Sequence, residues 1–273
     1  MAQGMIISII NNKGGVGKTA TTVNLAHALG NKGKRVLVID QDSQCNSTSS
    51  LLPTSVLRSL KDIYAGDPNV KTCIYSSKFE NVDILPNEQA TSSMEMLLYE
   101  NLAKSARLFV DVIRPYAIEN YDFVLIDCPP TLGLWLIMAL AASDCAIVPV
   151  DAGSVYAIDG LTTSIQMIND VAIQANPSLT FLRILINKAD LRTSISRTLV
   201  DFIHRSFGEE KVFRTTIPLN TAIQQAELGR TSVIRYAPAS MGTKRFRELA
   251  EEVILITADM EPSLFGAELG AVR

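Results

Sequence analysis

Apolar and polar residues follow one another along the chain in a pattern that predicts strands alternating with helices. Short apolar runs are typical of buried strands, whereas longer stretches with apolar positions three or four residues apart are typical of helices. The predicted strands are 5–10, 35–39, 82–85, 123–126, 146–150, 182–186 and 212–217. The predicted helices are 18–31, 92–116, 132–142, 162–174, 194–207, 221–228 and 243–257.

This alternation predicts an α/β fold with a doubly wound, mostly parallel sheet, because a chain of βαβ units returns each strand in the same direction. We expect residues 1–273 to form a single domain. The irregular segment 51–78 is predicted to be a surface excursion, and 258–273 a C-terminal tail. Ligands of such sheets bind at the carboxyl ends of the strands, which is where the polar motifs of this sequence fall.

Composition narrows the class of protein. Hydrophobic residues make up 47% of the chain and charged residues 19%, which excludes disordered and collagen-like classes. The sequence has no apolar run long enough to span a membrane and no export signal, so we expect a cytoplasmic protein. The cysteines lack the spacing of a disulfide framework or a zinc site. They are Cys45, Cys73, Cys128 and Cys145.

Charge is distributed unevenly along the chain. The formal net charge is −3, yet the segment 183–247 contains twelve basic and five acidic residues. A basic C-terminal third on an otherwise acidic protein is expected if one face meets a phosphate backbone. A mixed, solvated surface is the alternative that charge counting leaves open.

The first strand is followed by a glycine-rich loop of sequence Lys-Gly-Gly-Val-Gly-Lys-Thr. Glycines let main-chain N–H groups surround phosphates, and the helix that follows presents its positive end to them. Lys18 can reach the β and γ oxygens, and the Thr19 hydroxyl can bind Mg²⁺. The predicted nucleotide-binding residues of this stretch are Lys13, Gly14, Gly15, Val16, Gly17, Lys18, Thr19 and Ala20.

The loop departs from the usual P-loop pattern in one informative way. Asn12 stands where that pattern requires glycine, and Lys13 precedes Lys18 by five residues. A second lysine at the start of the loop can hardly enter the same pocket, so it is available to a nucleotide on another subunit. The motif resembles the deviant Walker A loop of the ParA/MinD class of P-loop ATPases. That resemblance implies that Lys13 acts across an ATP-sandwich dimer and that Lys18 is the ordinary Walker lysine.

Carboxylates follow two of the predicted strands. Asp40 and Asp42 are two residues apart at the end of one strand and therefore point to the same side, beside the loop. The stretch is similar to the family's D-x-D-P-Q-x-N, with Ser43 in place of proline. The likeness implies that Asp42 orients the attacking water and that Asp40 supports the metal. Asp127 ends the strand 123–126 and matches the family's D-x-P-P, so it is the expected partner of Mg²⁺.

A second motif bears on the nucleotide base. The sequence Asn-Lys-Ala-Asp at 187–190 matches the guanine-reading motif of GTPases. In the ParA class an asparagine here contacts adenine, so the resemblance implies that Asn187 does so and that Ile217 and Pro218 pack against the base. We expect ATP and Mg²⁺ as cofactors, with GTP as the alternative.

Similarity to the ParA proteins of partition systems continues through 230–252 and so covers nearly the whole chain. It implies that basic residues of the C-terminal region hold non-specific duplex DNA once ATP has formed the dimer. The loop 219–222 lacks the basic residues that family members often carry there. The candidate DNA contacts are Lys188, Arg192, Arg214, Arg230, Arg235, Lys244, Arg245 and Arg247.

Together these features predict a slow, Mg²⁺-dependent ATPase that dimerises on ATP and associates with the nucleoid. A ParB-like centromere-binding partner would stimulate hydrolysis, and the cycle would segregate plasmid or chromosomal DNA. Three alternatives remain: a relative that positions a protein cargo such as a chemoreceptor array or carboxysome, a MinD-like membrane-recruited regulator, and a scaffold with an inactive site. The tail 258–273 has a single basic residue and no basic amphipathic pattern, so we expect no membrane partner.

Overall fold

The structure is a computed structural model that describes residues 4–100, 102–154, 156–258 and 260. Within these residues the sheet has seven strands in the order β3-β4-β2-β5-β1-β6-β7, and only the edge strand β3 runs antiparallel to its neighbour. The strands are β1 (Met5–Ile9), β2 (Val36–Asp40), β3 (Tyr75–Ser76), β4 (Val82–Leu85), β5 (Phe123–Asp127), β6 (Cys145–Asp151) and β7 (Thr180–Asn187). The predicted fold class is confirmed.

Helices cover both faces of the sheet. They are α1 (Lys18–Gly30), α2 (Asn46–Leu51), α3 (Leu60–Tyr64), α4 (Glu95–Tyr99), α5 (Leu102–Leu108), α6 (Arg114–Asn120), α7 (Leu134–Ala142), α8 (Ala157–Gln174), α9 (Ser194–Phe207), α10 (Thr221–Leu228), α11 (Val233–Tyr236) and α12 (Met241–Thr257). Short 3₁₀ turns occupy Val70–Cys73, Gln89–Met94 and Glu209–Lys211.

The strands other than β3 are largely buried on both sides, so alternate residues pack into two separate cores. On one face Leu37 and Val124 pack with the side chains of α7 and α8. On the other, Val38 and Leu125 pack with α1 and α12. This two-sided burial explains why the strands are nearly continuous apolar runs.

One predicted strand is absent from the sheet. Residues 212–217 lie beside β7 but form one isolated bridge to it, between Val212 and Ile184. Phe213 N and Ile217 N donate to the carbonyls of Ile184 and Ile186. Between them, the N–H groups of Arg214 and Thr215 donate to the carboxylate of Glu252 at 2.8 and 3.0 Å. A side chain thus takes the hydrogen bonds that a continuous ladder would use.

The predicted helix 92–116 is divided into several pieces. A π-helical turn at Phe109–Ile113 separates α5 from α6, and Pro115 stands in the first turn of α6. Proline has no N–H to donate to the carbonyl four residues earlier, which disrupts the α-helical bonding just before it. Helix α8 begins five residues before the predicted 162–174 segment, and α2 was not predicted.

The segment 51–78, predicted as a surface excursion, is partly ordered into α3, a 3₁₀ turn and β3. Its apolar side chains Leu60, Ile63 and Val70 are buried in the core shared with α7. The predicted tail 258–273 lies, apart from Ala258 and Met260, outside the described residues.

Candidate nucleotide-binding site

The loop between β1 and α1 has the geometry of an anion cradle. Gly15 and Gly17 have φ angles of 76° and 91°, in the left-handed region that favours glycine. The N–H groups of residues 14–17 donate no hydrogen bond to other described residues. They are therefore available to phosphate oxygens at the N-terminus of α1, as the sequence predicts.

Asn187, at the end of β7, holds this loop from the opposite side. Its Nδ2 donates to the carbonyl of Val16 at 3.0 Å, and a Cβ atom on Gly17 would lie 2.2 Å from that same Nδ2. The neighbouring Lys188 donates from Nζ to the carbonyl of Gly15 at 2.5 Å. The structure thus places Lys188, a predicted DNA contact, on the phosphate loop.

Lys18 spans the loop from within. Its Nζ donates to the carbonyls of Asn11 and Lys13 at 3.0 and 3.1 Å, and the residue is 7% exposed. Burial lowers the pKa of Lys18, while the nearby charges of Asp127 and Asp42 act in the opposite direction. The ammonium group is held where it can meet phosphate oxygens.

Lys13 points away from the cradle. Its Nζ lies 2.6 Å from Ser154 Oγ and 5.5 Å from the ring centroid of Tyr156, which is 69% exposed. The side chain therefore stands at the surface beside the β6–α8 connection, outside the phosphate pocket of its own chain. Ser154 and Tyr156 were not predicted as site residues, and only the tertiary contact with Lys13 reveals them.

The predicted carboxylates meet at the carboxyl edge of neighbouring strands. Asp40 and Asp127 are paired in the register of β2 and β5. Asp40 Oδ2 accepts hydrogen bonds from Thr48 N and Thr48 Oγ1, both at 2.7 Å, and Asp127 Oδ2 accepts one from Ser47 Oγ at 2.7 Å. Sequence reasoning missed Ser47 and Thr48, although both lie in the polar stretch that follows Asp42.

One buried oxygen of this group has no partner. Asp127 is 1% exposed, yet its Oδ1 accepts no hydrogen bond within the described residues. An unsatisfied buried carboxylate oxygen is costly, so this atom fits a role in holding a hydrated cation. No group of three or more His, Cys, Asp or Glu side chains in the described part of the chain could bind a metal. Mg²⁺ that is bound with a nucleotide takes most of its ligands from phosphates and water.

The pKa values of Asp40 and Asp127 also favour a cation at this edge of the sheet. Burial raises the pKa of Asp40, and the charge of Asp127 raises it further. Burial likewise raises the pKa of Asp127. The hydroxyls of Ser47 and Thr19 oppose this effect and lower the pKa. Two desolvated carboxyls side by side disfavour their charged forms unless a cation lies nearby.

Asp42 lies just beyond β2 on the side of Lys18, as strand alternation predicts. Its Oδ1 accepts a hydrogen bond from Gln44 N at 3.0 Å, and the residue is 9% exposed. The charge of Asp42 acts on Lys18 of the loop, so the two side chains are close. This position suits the predicted role in orienting water, which stays a prediction.

The predicted base-binding residues adjoin one another. Ala189 N donates to the carbonyl of Ile217 at 3.1 Å, and Ala189 forms a bridge with Pro218. The segment that carries Ile217 and Pro218 therefore lies directly beside Asn187. Asp190 of the guanine-type motif pairs with Arg192 at 2.8 Å, and this partner lowers the pKa of Asp190 to about 2.

Three of the predicted DNA contacts gather away from the loop, with a lysine that was not predicted. Lys78 Nζ donates to the carbonyl of Arg230 at 2.5 Å, and Arg235 Nη1 donates to the carbonyl of Lys78 at 3.3 Å. Burial lowers the pKa of His27 to about 4, and the nearby positive charges of Arg235 and Arg247 add to this shift. Arg247 therefore lies close to the same group of residues. Lys78, Arg230, Arg235 and Arg247 are called the basic cluster below.

The other candidates do not join it. Lys244 and Arg245 both pair with Glu248, at 3.9 and 2.7 Å, which offsets part of their charge. Arg214 is exposed on the extended segment beside β7. In the described residues no helix is both long and apolar enough to cross a bilayer.

Comparison with known proteins agrees with this geometry. Residues 4–181 match a family described as an AAA domain. The chain is 35% identical over 254 residues to sporulation initiation inhibitor protein Soj of Bacillus subtilis, covering 92% of this chain and 98% of the relative. It is 36% identical to chromosome-partitioning ATPase Soj of Thermus thermophilus, covering 91% and 94%. It is 32% identical to chromosome partitioning protein ParA of Caulobacter vibrioides, covering 91% and 93%.

Solved structures show the same fold with nucleotide bound. Septum site-determining protein MinD of Pyrococcus horikoshii, complexed with Mg-ADP, has a TM-score of 0.73 at 30% identity and covers 92% of this chain and 96% of its own. Cobyrinic acid a,c-diamide synthase of Mycobacterium smegmatis, with an ATP analogue and magnesium, has a TM-score of 0.79 at 26% identity, covering 96% and 99%. Both agree with the prediction of ATP and Mg²⁺ as cofactors. With its deviant phosphate loop, its paired carboxylates and these relatives, the chain belongs to the ParA-type ATPases.

Proposed function

We propose that the protein is a Mg²⁺-dependent ATPase that forms an ATP-sandwich dimer, binds duplex DNA without sequence preference and segregates plasmid or chromosomal DNA. A ParB-like centromere-binding partner would stimulate hydrolysis, and the dimer would act on the nucleoid in the cytoplasm. The observation that carries the proposal is Lys13, whose ammonium lies outside its own phosphate cradle on Ser154. The relatives named for chromosome partitioning support the cellular role.

The chemistry would be positioning and charge stabilisation. The N–H groups of residues 14–17 and the Lys18 ammonium would bind the phosphates. Thr19 and Asp127 would hold Mg²⁺, which supplies positive charge against the phosphate oxygens. Asp42 would position the attacking water, and Lys13 of a second copy would complete the charge around the phosphates. Asn187, Ile217 and Pro218 would contact adenine.

The basic cluster supports the binding of DNA. Its three arginines are exposed, and none of the ion pairs described for the chain involves them or Lys78. Exposed cations that are not neutralised by acidic neighbours suit a phosphate backbone, which carries closely spaced negative charge.

The test is binding of the protein to random-sequence duplex DNA with ATP, ADP or no nucleotide, repeated across a salt series. We expect binding with ATP only. Arg235→Ala should weaken it and reduce the slope of log affinity against log salt by about 0.9, the value of one phosphate contact. Lys71→Ala, which removes an exposed lysine near the sheet edge outside the basic cluster, is the matched control and should bind like the wild type.

Hydrolysis of ATP without DNA binding in any nucleotide state would contradict the nucleoid role. It would favour the two alternatives, a relative that positions a protein cargo and a membrane-recruited regulator. Equal loss of binding in the two variants would remove the basic cluster as the DNA surface.

A further inference from the structure

Helix α1 connects the phosphate loop to the helix that carries part of the basic cluster. It begins at Lys18, and every residue of it except Thr19 is buried. Asn24, near its middle, accepts a hydrogen bond at Oδ1 from Val233 N at 2.7 Å, at the start of α11. Its Nδ2 donates to the carbonyl of Ala20 at 2.7 Å, which fixes the orientation of the amide.

His27 makes a second attachment one turn further along the same face. Its Nδ1 lies 2.5 Å from Ser232 Oγ, and that oxygen also accepts the N–H of Arg235 at 3.2 Å as the N-cap of α11. The imidazole ring stacks on Phe79, with centroids 4.0 Å apart and an interplanar angle of 9°. Asn24 and His27 thus hold the first turn of α11 directly.

Phe79 links His27 to the other side of the basic cluster. The residue before it is Lys78, which bonds to the Arg230 carbonyl and accepts from Arg235. The main-chain segments that carry Lys78 and Arg235 therefore both rest on the C-terminal half of α1. Gly30 also packs closely here, because a Cβ on it would lie 2.6 Å from the Glu80 carbonyl.

We propose that Asn24 and His27 are positioning residues that transmit the nucleotide state of the phosphate loop to the basic cluster. A fully packed helix moves as a rigid body, so a displacement of its first turn by phosphates reaches its far end. The two side chains then carry α11, with Arg235, along with α1. The effect on DNA rests on the proposed function, whereas the movement of α11 does not.

The test separates the hydrogen bond of His27 from its ring stacking. His27→Phe keeps a ring against Phe79 but removes the bond to Ser232, and His27→Asn keeps a polar group near the position of Nδ1 but removes the ring. Three properties of each variant are compared with those of the wild type. They are the affinity for an ATP analogue, the affinity for random-sequence duplex DNA, and amide hydrogen exchange over 232–236 with and without the analogue. Ser232→Ala removes the same bond from the other partner if His27→Phe does not fold. It also removes the cap of α11, so its exchange with the analogue is compared with its own exchange without it.

We expect the analogue to change exchange over 232–236 fully in the wild type and in His27→Asn, and to a smaller extent in His27→Phe and Ser232→Ala, where Asn24 alone still holds Val233. Analogue affinity should be unchanged, while the ratio of DNA affinities with ATP and ADP falls by about tenfold in the two variants that lack the bond. The proposal would be overturned if His27→Phe and Ser232→Ala both kept the response of the wild type. It would also be overturned if the analogue did not change exchange over 232–236 in the wild type. A wild type that shows the exchange change but binds no DNA would overturn the proposed function and leave this inference supported.

Discussion

At the scale of single residues, the conformation of the phosphate loop depends on a position that favours glycine. Gly17 combines a φ of 91° with a close approach to Asn187 Nδ2. Asn187 in turn fixes the Val16 carbonyl from β7. The loop conformation is therefore set both by its own backbone and by a residue about 170 positions away.

Gly17→Ala should weaken nucleotide binding by about fivefold to a hundredfold, because the left-handed backbone and the displaced Asn187 together cost about 1–3 kcal/mol. The measurement is titration with a fluorescent ATP analogue. Gly33→Ala is the matched control, since Gly33 has a φ of 75° but open space around its Cβ position. It should lose about 1 kcal/mol of stability and bind nucleotide normally. Equal affinities for wild type and Gly17→Ala would show that the loop does not need this conformation.

At the scale of elements, a single carboxylate decides the shape of the chain after α9. Glu252 on α12 accepts hydrogen bonds from Arg214 N and Thr215 N and pairs with Arg183 of β7 at 3.1 Å. It thereby joins α12, the segment 212–217 and the strand β7. That segment leads into Ile217 and Pro218, the predicted base-binding pair.

Glu252→Ala should lower the free energy of unfolding by about 3 kcal/mol, because it leaves two N–H groups and a half-buried guanidinium without their partner. Urea denaturation measures the loss. The adjacent Glu251 pairs with Lys32 at the surface, where the Glu251 side chain is 59% exposed. Glu251→Ala should therefore cost less than about 1 kcal/mol. Similar midpoints for the two variants would mean that Glu252 does not hold the segment.

At the scale of the whole molecule, the phosphate loop and the basic cluster proposed to bind DNA lie towards opposite ends of one helix. The phosphate loop is at the start of α1, and the basic cluster lies beside the C-terminal half of this helix. Helix α1 has 13 residues and is about 20 Å long. Lys13, on the loop, faces outward beside exposed Tyr156. A second copy could therefore meet the nucleotide edge while the basic cluster remains accessible.

Lys13→Ala should bind ATP as a monomer with nearly wild-type affinity but fail to dimerise, because its ammonium lies outside its own cradle. Light scattering after size-exclusion chromatography with and without an ATP analogue measures the mass. Lys71→Ala should still dimerise. Dimers of Lys13→Ala that match the wild type would remove the role proposed for this lysine.

The sequence by itself determined whatever depends on neighbouring residues. The run from Lys13 to Thr19 is a motif because a loop and the first turn of a helix are local structures, and apolar periodicity placed β4, α9 and α10 at their observed bounds. Strand alternation also predicted that Asp40 and Asp42 point to one side. Each of these features follows from chain geometry over a few residues.

Only the tertiary structure decided which distant residues meet. Lys78 joins the basic cluster across 152 positions, and Ser154 receives Lys13 across 141. The missing strand at 212–217 has the same cause, because Glu252 takes its N–H groups from another element. Such contacts depend on the order of strands in the sheet and on side chains that compete for the same hydrogen bonds, and neither is written in a local pattern.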